Sequence, residues 1–408
     1  MLKSQYKLMG GILLVTGTTI GAGMLALPVI TGFAGFFPSI FLLALFWIYM
    51  TYTALLLLEV NLAMGSQVNI ISMAKQTLGR PGEWIGWVTY LFLLYSLTTA
   101  YLAGSGPIII DCIKLLTGYS LPAWLGAVCL LIIFSCFLHQ GTRSVDYLNR
   151  LLMAGLAMAY VIMVLFLAPC VDISLLKHVD PKYLLISVAI VATSFGFHII
   201  IPSLIHYLER NITHVKTAIW VGGLIPFIVY LLWELLTLGI IPLKGAHGLK
   251  DGYENGSNGA YLLSIVLGNT HLALVARCFS FFAILTSFLG VSLSLFDCLK
   301  DALKIEKTHK GQAVLFACTF IPPLVFALSG PRIFLVALEY AGAFGVVILL
   351  GLFPPLMAWS KRYRLFWPSS YQVGGGKEGL IGAIIFSLLV ILVELANQIG
   401  LIKIEMNF

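Results

Sequence analysis

Long apolar runs separated by short polar stretches make up almost the whole chain. About 20 apolar residues in helix cross ~30 Å of hydrocarbon. Such runs lie roughly at 8–33, 37–62, 84–116, 122–139, 147–169, 183–206, 217–241, 272–299, 312–329, 333–358 and 380–402. The pattern predicts an all-α integral membrane protein with 11 transmembrane helices, forming one transmembrane domain over 1–408. Two connections have patterns of their own. In 65–83, Ile70, Ile71, Ala74 and Leu78 are spaced as the apolar face of a short amphipathic helix that Gly79 and Pro81 stop. In 242–271, GYENGSNG precedes the apolar AYLLSIVLG, giving either an outer loop that dips over a central cavity or a plain solvated loop.

The first run is badly suited to continuous helix. Its centre, Gly17–Pro28, reads GTTIGAGMLALP: Gly17, Gly21 and Gly23 each lower helix stability, and Pro28 has no N–H for the preceding turn. Irregular backbone cannot face lipid, so this stretch is expected to face protein or a water-filled cavity. Alone, Gly17 and Gly21 also fit a GxxxG helix contact. The sixth run repeats the grammar in TSFGFHIIIPSL, Thr193–Leu204, with hydroxyls before Gly196 and Pro202 after it. The sixth run comes five spans after the first, so two five-helix halves would carry equivalent breaks in opposite orientations. The halves expected are 8–170 (helices 1–5) and 182–358 (helices 6–10), with 378–403 as helix 11 and helices 1 and 6 broken at mid-membrane.

Two facing breaks expose unpaired backbone groups of both kinds, which suits a zwitterion. The N–H groups around Gly21, Ala22, Gly23 and Met24, at the start of a new half-helix and beside the Thr19 hydroxyl, suit a carboxylate. Carbonyls freed near Ser194, Phe195 and Gly196 suit an ammonium. Phe195, Phe197, Tyr95, Tyr101, Phe281 and Phe282 offer a wall for an aromatic ring, or else pack as ordinary membrane-helix residues.

Composition agrees with this reading: 60% of residues are hydrophobic and only 10% charged. The net charge of +7 comes from basic residues scattered singly, which fits positive loops rather than nucleic acid. Sixteen of the 24 Lys and Arg fall on the N-terminal side of the threading, placing the N-terminus in the cytoplasm and the C-terminus outside a cytoplasmic (inner) membrane. The seven cysteines form no C-x-x-C pair and read as small core residues. HExxH, GxGD, GxSxG and metal-spaced His/Cys clusters are absent, and GGGKEG at Gly374–Gly379 is not a P-loop. Neither catalytic residues nor a cofactor or metal are therefore expected. The partners expected are a small-molecule amino acid substrate and the lipid bilayer.

Ionisable groups at membrane depth are functional candidates. His198 follows the second break and is either a proton-coupling group or a neutral histidine bonded to freed backbone. Glu59, near the inner end of helix 2, is read as an inner gate paired with a loop Arg or Lys, or as a second proton site. In the outer halves Glu234, Glu339 and Glu394 outnumber Arg277, so at least one carboxyl is expected to be protonated, interfacial or wet.

The motifs GTTIGAGMLALP, LLLLEV, NIISMAKQTLG, GTRSVDYLNR, SFGFHIIIPSL, LTSFLGVSLSLFD and YAGAFG stand in an order and spacing that resembles the hydroxy and aromatic amino acid permeases of the amino acid, polyamine and organocation superfamily. The resemblance covers most of the chain. It implies a leucine-transporter-type 5+5 inverted repeat plus an eleventh helix, and proton-driven uptake of an aromatic amino acid, tyrosine ahead of tryptophan. It places the substrate on Gly21, Ala22 and Gly23 and on Ser194, Phe195 and Gly196. The chain departs at Ile199, where many members carry glycine, which leaves tyrosine, tryptophan and phenylalanine open as substrates. Sodium-coupled relatives of the same fold place hydroxyl ligands where Thr286 and Ser287 stand. A sodium symporter, or a passive facilitator or channel, is the alternative.

Overall fold

A backbone in hydrocarbon has to satisfy its own N–H and C=O groups, and each apolar run does so as helix. The computed structural model describes residues 2–64, 68–119, 121–140, 142–304, 308–368 and 370–401, and among these no strand occurs. In chain order the helices are α1 (Leu2–Thr19), α2 (Gly23–Thr31), α3 (Phe36–Leu62), α4 (Ile70–Thr117), α5 (Ala123–Gln140), α6 (Thr142–Leu167), α7 (Leu184–Ser194) and α8 (Ile201–Tyr207). They continue with α9 (Ile212–Leu238), α10 (Leu249–Asn255), α11 (Gly259–Val266), α12 (Thr270–Leu303), α13 (His309–Ala327), α14 (Ile333–Tyr340), α15 (Phe353–Tyr363) and α16 (Gly376–Gln398). A π-helical stretch, Ala341–Leu352, joins α14 to α15.

Among the described residues nine helical segments are long and apolar enough to cross a membrane, and α1 with α2 makes a tenth, bent by 53° at the gap between them. The remaining predicted run, 122–139, is helical as α5, and its described apolar part, Trp124–Phe134, is shorter than a full crossing. In an apolar 18-residue stretch of Ile333–Tyr363, 72% of residues are buried, and 67% in those of Ile70–Asp111 and Pro181–Tyr207, against 28% in those of α6, α13 and α16. The first three therefore lie toward the centre of the bundle and the last three toward its rim. In α2 every residue from Met24 to Thr31 is buried.

Both patterned connections form structure. The amphipathic stretch begins at Ile70 behind an Asn69–Ser72 capping box, with Ile70, Ile71 and Ala74 buried. At Gly79 the chain takes φ 78°, which only glycine adopts cheaply, and a new helical direction starts before Pro81. Residues 65–67 of that connection lie outside the described residues. The other connection folds into α10 and α11, turned at Gly256 with φ 66° and restarted by the Asn258 cap. It covers α2: a Cβ on Gly259 would lie 2.7 Å from Pro28 Cγ and 3.2 Å from the Leu25 carbonyl oxygen. Tyr253 packs edge-on against Phe33 at 5.3 Å, and the Arg332 guanidinium sits 4.0 Å from the Tyr253 ring centre.

Small residues set the contact between α4 and α5. A Cβ on Gly126 of α5 would lie 3.0 Å from Gly106 Cα of α4, and nearer still to the Gly106 carbonyl oxygen. Gly126→Ala is expected to lower unfolding stability by ~1–3 kcal/mol through overpacking. Gly290→Ala in α12, where an added Cβ meets nothing within 4 Å, is expected to be neutral or to gain up to ~1 kcal/mol of helix propensity. Thermal unfolding of the two variants in detergent checks both, and equal shifts would refute the assignment of the α4–α5 contact.

Candidate functional site

Two interruptions of helix meet in the middle of the bundle. The first runs from Ile20 to Ala22 between α1 and α2. The second starts at Phe195, passes through a non-helical Gly196 and Phe197 and a single 3-10 turn, His198–Ile200, and ends at α8. Pro202 opens α8, where its missing N–H costs nothing. The breaks face each other: a Cβ on Gly23 would meet Ser194 Oγ at 3.5 Å and Ser194 Cα at 3.8 Å. Gly21, Gly23 and Gly196 keep partial exposure, as does Ser287, while Ala22, Met24, Ser194, Phe195 and Phe197 are buried. Ile20 in the first break and Thr193, Ile199 and Ile200 around the second are likewise only partly buried.

Side chains from neighbouring helices take up part of the freed backbone. Ala22 N–H donates to Ser287 Oγ of α12 at 2.8 Å, and Met24 N–H closes a turn on the Gly21 carbonyl at 3.2 Å. The Tyr230 hydroxyl of α9 is directed at two carbonyls, Thr19 O at 2.6 Å and Ser194 O at 2.8 Å, one from each break. Trp233 Nε1 donates to the Met24 carbonyl at 2.8 Å, and the Thr31 hydroxyl meets both carboxyl oxygens of Glu234, at 2.9 and 3.0 Å. Tyr230, Trp233 and Glu234 stand at i, i+3 and i+4, so one face of α9 grips both breaks. All three side chains are fully buried.

The remaining predicted residues are placed as follows. The Thr19 hydroxyl bonds its own helix at Val15 O, 2.8 Å, rather than projecting into the gap. Phe195 packs edge-on against Tyr230 at 5.3 Å, and Phe197 lies against the His198 ring at 5.1 Å. Tyr101 is buried with its hydroxyl beside Ser287. Tyr95 goes elsewhere: its hydroxyl donates to the Cys318 carbonyl at 2.8 Å, and it packs in a separate cluster with Leu94, Leu295 and Leu299. Thr286 bonds its own helix, at Phe282 O (2.8 Å) and Ala283 O (3.1 Å), so of the hydroxyl pair only Ser287 reaches the break. His198 is buried, with Nε2 at 2.8 Å from Thr53 Oγ1. The Thr53 hydroxyl also lies 3.2 Å from Met50 O, and His198 Nδ1 has no hydrogen-bond partner among the described residues.

At the end of the bundle where α3 finishes, Glu59 is buried among cations. Its carboxylate accepts from Lys361 Nζ at 3.0 Å, Arg362 Nε at 2.8 Å and Val373 N–H at 2.8 Å, and also pairs with Arg362 Nη2. Lys7 pairs with Glu209 there, and Arg210 Nη2 donates to Leu62 O and Met64 O at 3.1 and 3.2 Å. At the opposite end a cavity of about 560 Å³ lies between α4, α11 and α12, with Asp111, Tyr261, Arg277, Phe281 and Phe282 on its walls. Among the described residues no group of His, Cys, Asp and Glu is placed to hold a metal.

Sequence reasoning missed Tyr230, Trp233 and the π-helical stretch. The first two were visible as polar-tipped aromatics spaced three apart inside an apolar run, but nothing in the chain said which carbonyls they would meet. In the π stretch, Gly342 lets the Ala189 carbonyl and the Thr193 hydroxyl come close, and Thr193 Oγ1 donates to Leu338 O at 2.9 Å. A wide helical turn frees such carbonyls, and π segments recur at functional sites.

The tryptophan/tyrosine permease family matches the chain over residues 4–394. The chain is 34% identical over 402 residues to the tyrosine-specific transport system 1 of Haemophilus influenzae, covering 97% of this chain and 98% of that protein. It is 30% identical over 409 residues to the tryptophan-specific transport protein of the same organism, covering 97% of each. A glutamine transporter 2 of Aliivibrio fischeri is 29% identical over 401 residues, covering 96% of this chain and 100% of that protein. These relatives are transport proteins and not enzymes, and on the whole-chain match this protein belongs to the tryptophan/tyrosine permease family.

Proposed function

We propose that the protein imports an aromatic amino acid, tyrosine ahead of tryptophan, by proton symport with alternating access around the two facing breaks. The observation that carries the reading is the partly exposed backbone of Gly21, Gly23 and Gly196 together with Ser287, where the two breaks meet. Backbone N–H at the start of α2 suits a carboxylate and carbonyls past Ser194 suit an ammonium, so the site reads the part common to all amino acids. Phe195, with Tyr101 and Tyr230 nearby, supplies the aromatic wall. The relatives named for tyrosine and tryptophan support the substrate class, and the one named for glutamine makes side-chain choice a matter of the wall rather than of the breaks.

In this reading 8–170 and 182–358 are two inverted halves and 378–403 an eleventh helix, with 11 crossings that include α5. The N-terminus is cytoplasmic and the C-terminus outside, which makes α10 and α11 the outer cover and the Glu59 cluster the inner latch of an inner-membrane protein. Glu59 ties α3 to α15 when the inner side is shut and releases Lys361 and Arg362 when it opens. His198 acts as a neutral bonded strut of the second break, holding α7 and α8 to α3 through Thr53.

Transport in reconstituted vesicles tests the reading directly. An imposed inward proton gradient is expected to drive accumulation of tyrosine or tryptophan above equilibrium. A requirement for sodium would replace the coupling ion, and equilibration without accumulation would indicate a facilitator. Gly23→Leu is expected to weaken substrate binding at least tenfold, about 1.4 kcal/mol, with folding retained because the nearest neighbour leaves van der Waals room for the first carbon. Unchanged affinity would remove the break from the site. Glu59→Gln leaves two buried cations without their anion, a loss of ~3–5 kcal/mol, so inner-side cysteine labelling is expected to rise several-fold. No rise would show that Glu59 does not hold that end shut.

A further inference from the structure

We infer that Glu234 is the group that carries the coupling proton, an assignment that rests on the proton-symport reading above. The hydrogen count at this carboxyl leads there. Glu234 is fully buried in α9, and among the described residues its only side-chain partner is the Thr31 hydroxyl, placed almost equally from both carboxyl oxygens. Thr31 has a single hydroxyl hydrogen, and Oγ1 also lies 2.8 Å from the Leu27 carbonyl, one turn back in α2. If Glu234 carries a proton, it donates to Thr31 Oγ1 and Thr31 donates to Leu27 O, so both hydrogens are used, no charge is buried, and only the neutral C=O oxygen of the acid lacks a donor. If Glu234 is ionised, Thr31 has to turn its one hydrogen to the carboxylate, leaving a buried anion with a single neutral donor and no cation.

The surroundings offer no other counter-charge. α2 has no titratable side chain. On α9 the nearest titratable group is Tyr230, committed to the two breaks. From α6 the titratable side chain against α9 is Tyr160, which bonds Val229 O at 2.7 Å. α3 brings Ser39, bonded to Thr31 O at 3.1 Å, while its Tyr49, Tyr52 and Glu59 lie farther toward the other end. The segment before α7 brings Asp172, Lys177, His178 and Asp180 to this end: Asp172 N–H bonds Gly239 O, His178 Nε2 bonds Phe33 O at 3.0 Å, and Asp180 N–H bonds Ala34 O. On α10 and α11 the groups are Lys250, Asp251, Tyr253, Glu254 and Tyr261, and α1 presents Lys7 at the far end. None of these forms an ion pair with Glu234 among the described residues.

The mechanical consequence follows from where Thr31 stands. It is the last residue of α2, the half-helix whose first turn meets the substrate site, and it lies under α10 and α11. A proton taken from water on the outer side onto Glu234 completes the Glu234–Thr31–Leu27 chain and fixes α2 against α9. Its release to water on the inner side leaves an anion that needs hydration, which favours pulling α2 and α9 apart. Occupancy of one group is thereby linked to closure over the substrate without any contact between the proton and the amino acid.

The test uses the full-length protein in lipid vesicles, as wild type and as Glu234→Gln, in which the amide N–H keeps the hydrogen bond of the protonated acid. Infrared difference spectra between acid and alkaline pH are expected to show a carboxylic-acid C=O band in wild type that is missing from E234Q. One proton per substrate supports about tenfold accumulation per pH unit of gradient; E234Q is expected to lose this, only equilibrating tyrosine or tryptophan, while its substrate affinity no longer varies with pH. Accumulation by E234Q equal to wild type, or an unchanged infrared band, overturns the inference while leaving proton symport intact. Absence of proton-driven accumulation in wild type itself defeats the symport reading, and the inference with it. Should E234Q fail to fold, Thr31→Val removes the hydroxyl with little change of shape and is expected to shift the midpoint of pH-dependent binding; an unshifted midpoint overturns the inference equally.

Discussion

The structure depends on one constraint, that backbone groups released by breaking a helix in the middle of a membrane bundle have to be bonded again by something other than water or lipid. Tyr230 does this with one hydroxyl hydrogen shared between a carbonyl of each break, Trp233 for the Met24 carbonyl, and Ser287 for the Ala22 N–H. These bonds let α1–α2 and α7–α8 stay interrupted without unravelling. They also leave over a small set of backbone positions, at Gly21, Gly23 and Gly196, that remain open to a ligand.

The same constraint explains why α9 matters more than its plain apolar run suggests. The Tyr230 and Trp233 bonds to α1, α2 and α7 run to backbone, so side chains at the breaks can vary without losing these bonds. Relatives named for tyrosine, tryptophan and glutamine fit such a division of labour. The frame would bind the amino and carboxyl groups, and residues such as Phe195, set edge-on against Tyr230, would choose the side chain. The Glu59–Lys361–Arg362 cluster sits at the other end of α3 from the α10–α11 cover. The bundle thus has a buried ion-pair cluster at one end and a packed cover at the other.

Much of this was legible in the sequence. Run length located the helices, because a bilayer sets a minimum apolar length. Glycine and proline spacing located both breaks to within a few residues, since each weakens helix by a local mechanism that needs no tertiary information. The amphipathic stretch from Ile70, its stop at Gly79 and a cationic partner for Glu59 were readable for the same reason. Other features were not legible, because they depend on which helix faces which. Tyr95 and Tyr101 lie in one helix and look alike in sequence, yet Tyr101 reaches Ser287 while Tyr95 turns to Cys318. Likewise Thr286 and Ser287 are adjacent, but helix rotation gives one to its own backbone and the other to Ala22. The π stretch after Tyr340 has no signature beyond small residues, and its effect on Thr193 emerges only from packing.

In the proposed function the two breaks together bind the substrate. The most direct measurement is an experimental density map of the protein in lipid with tyrosine or tryptophan bound. The carboxylate is expected against the Gly21–Met24 backbone, the ammonium against the carbonyls of Ser194–Gly196, and the ring beside Phe195. Substrate density confined to the cavity between Asp111 and Arg277, with the breaks unoccupied, would contradict it.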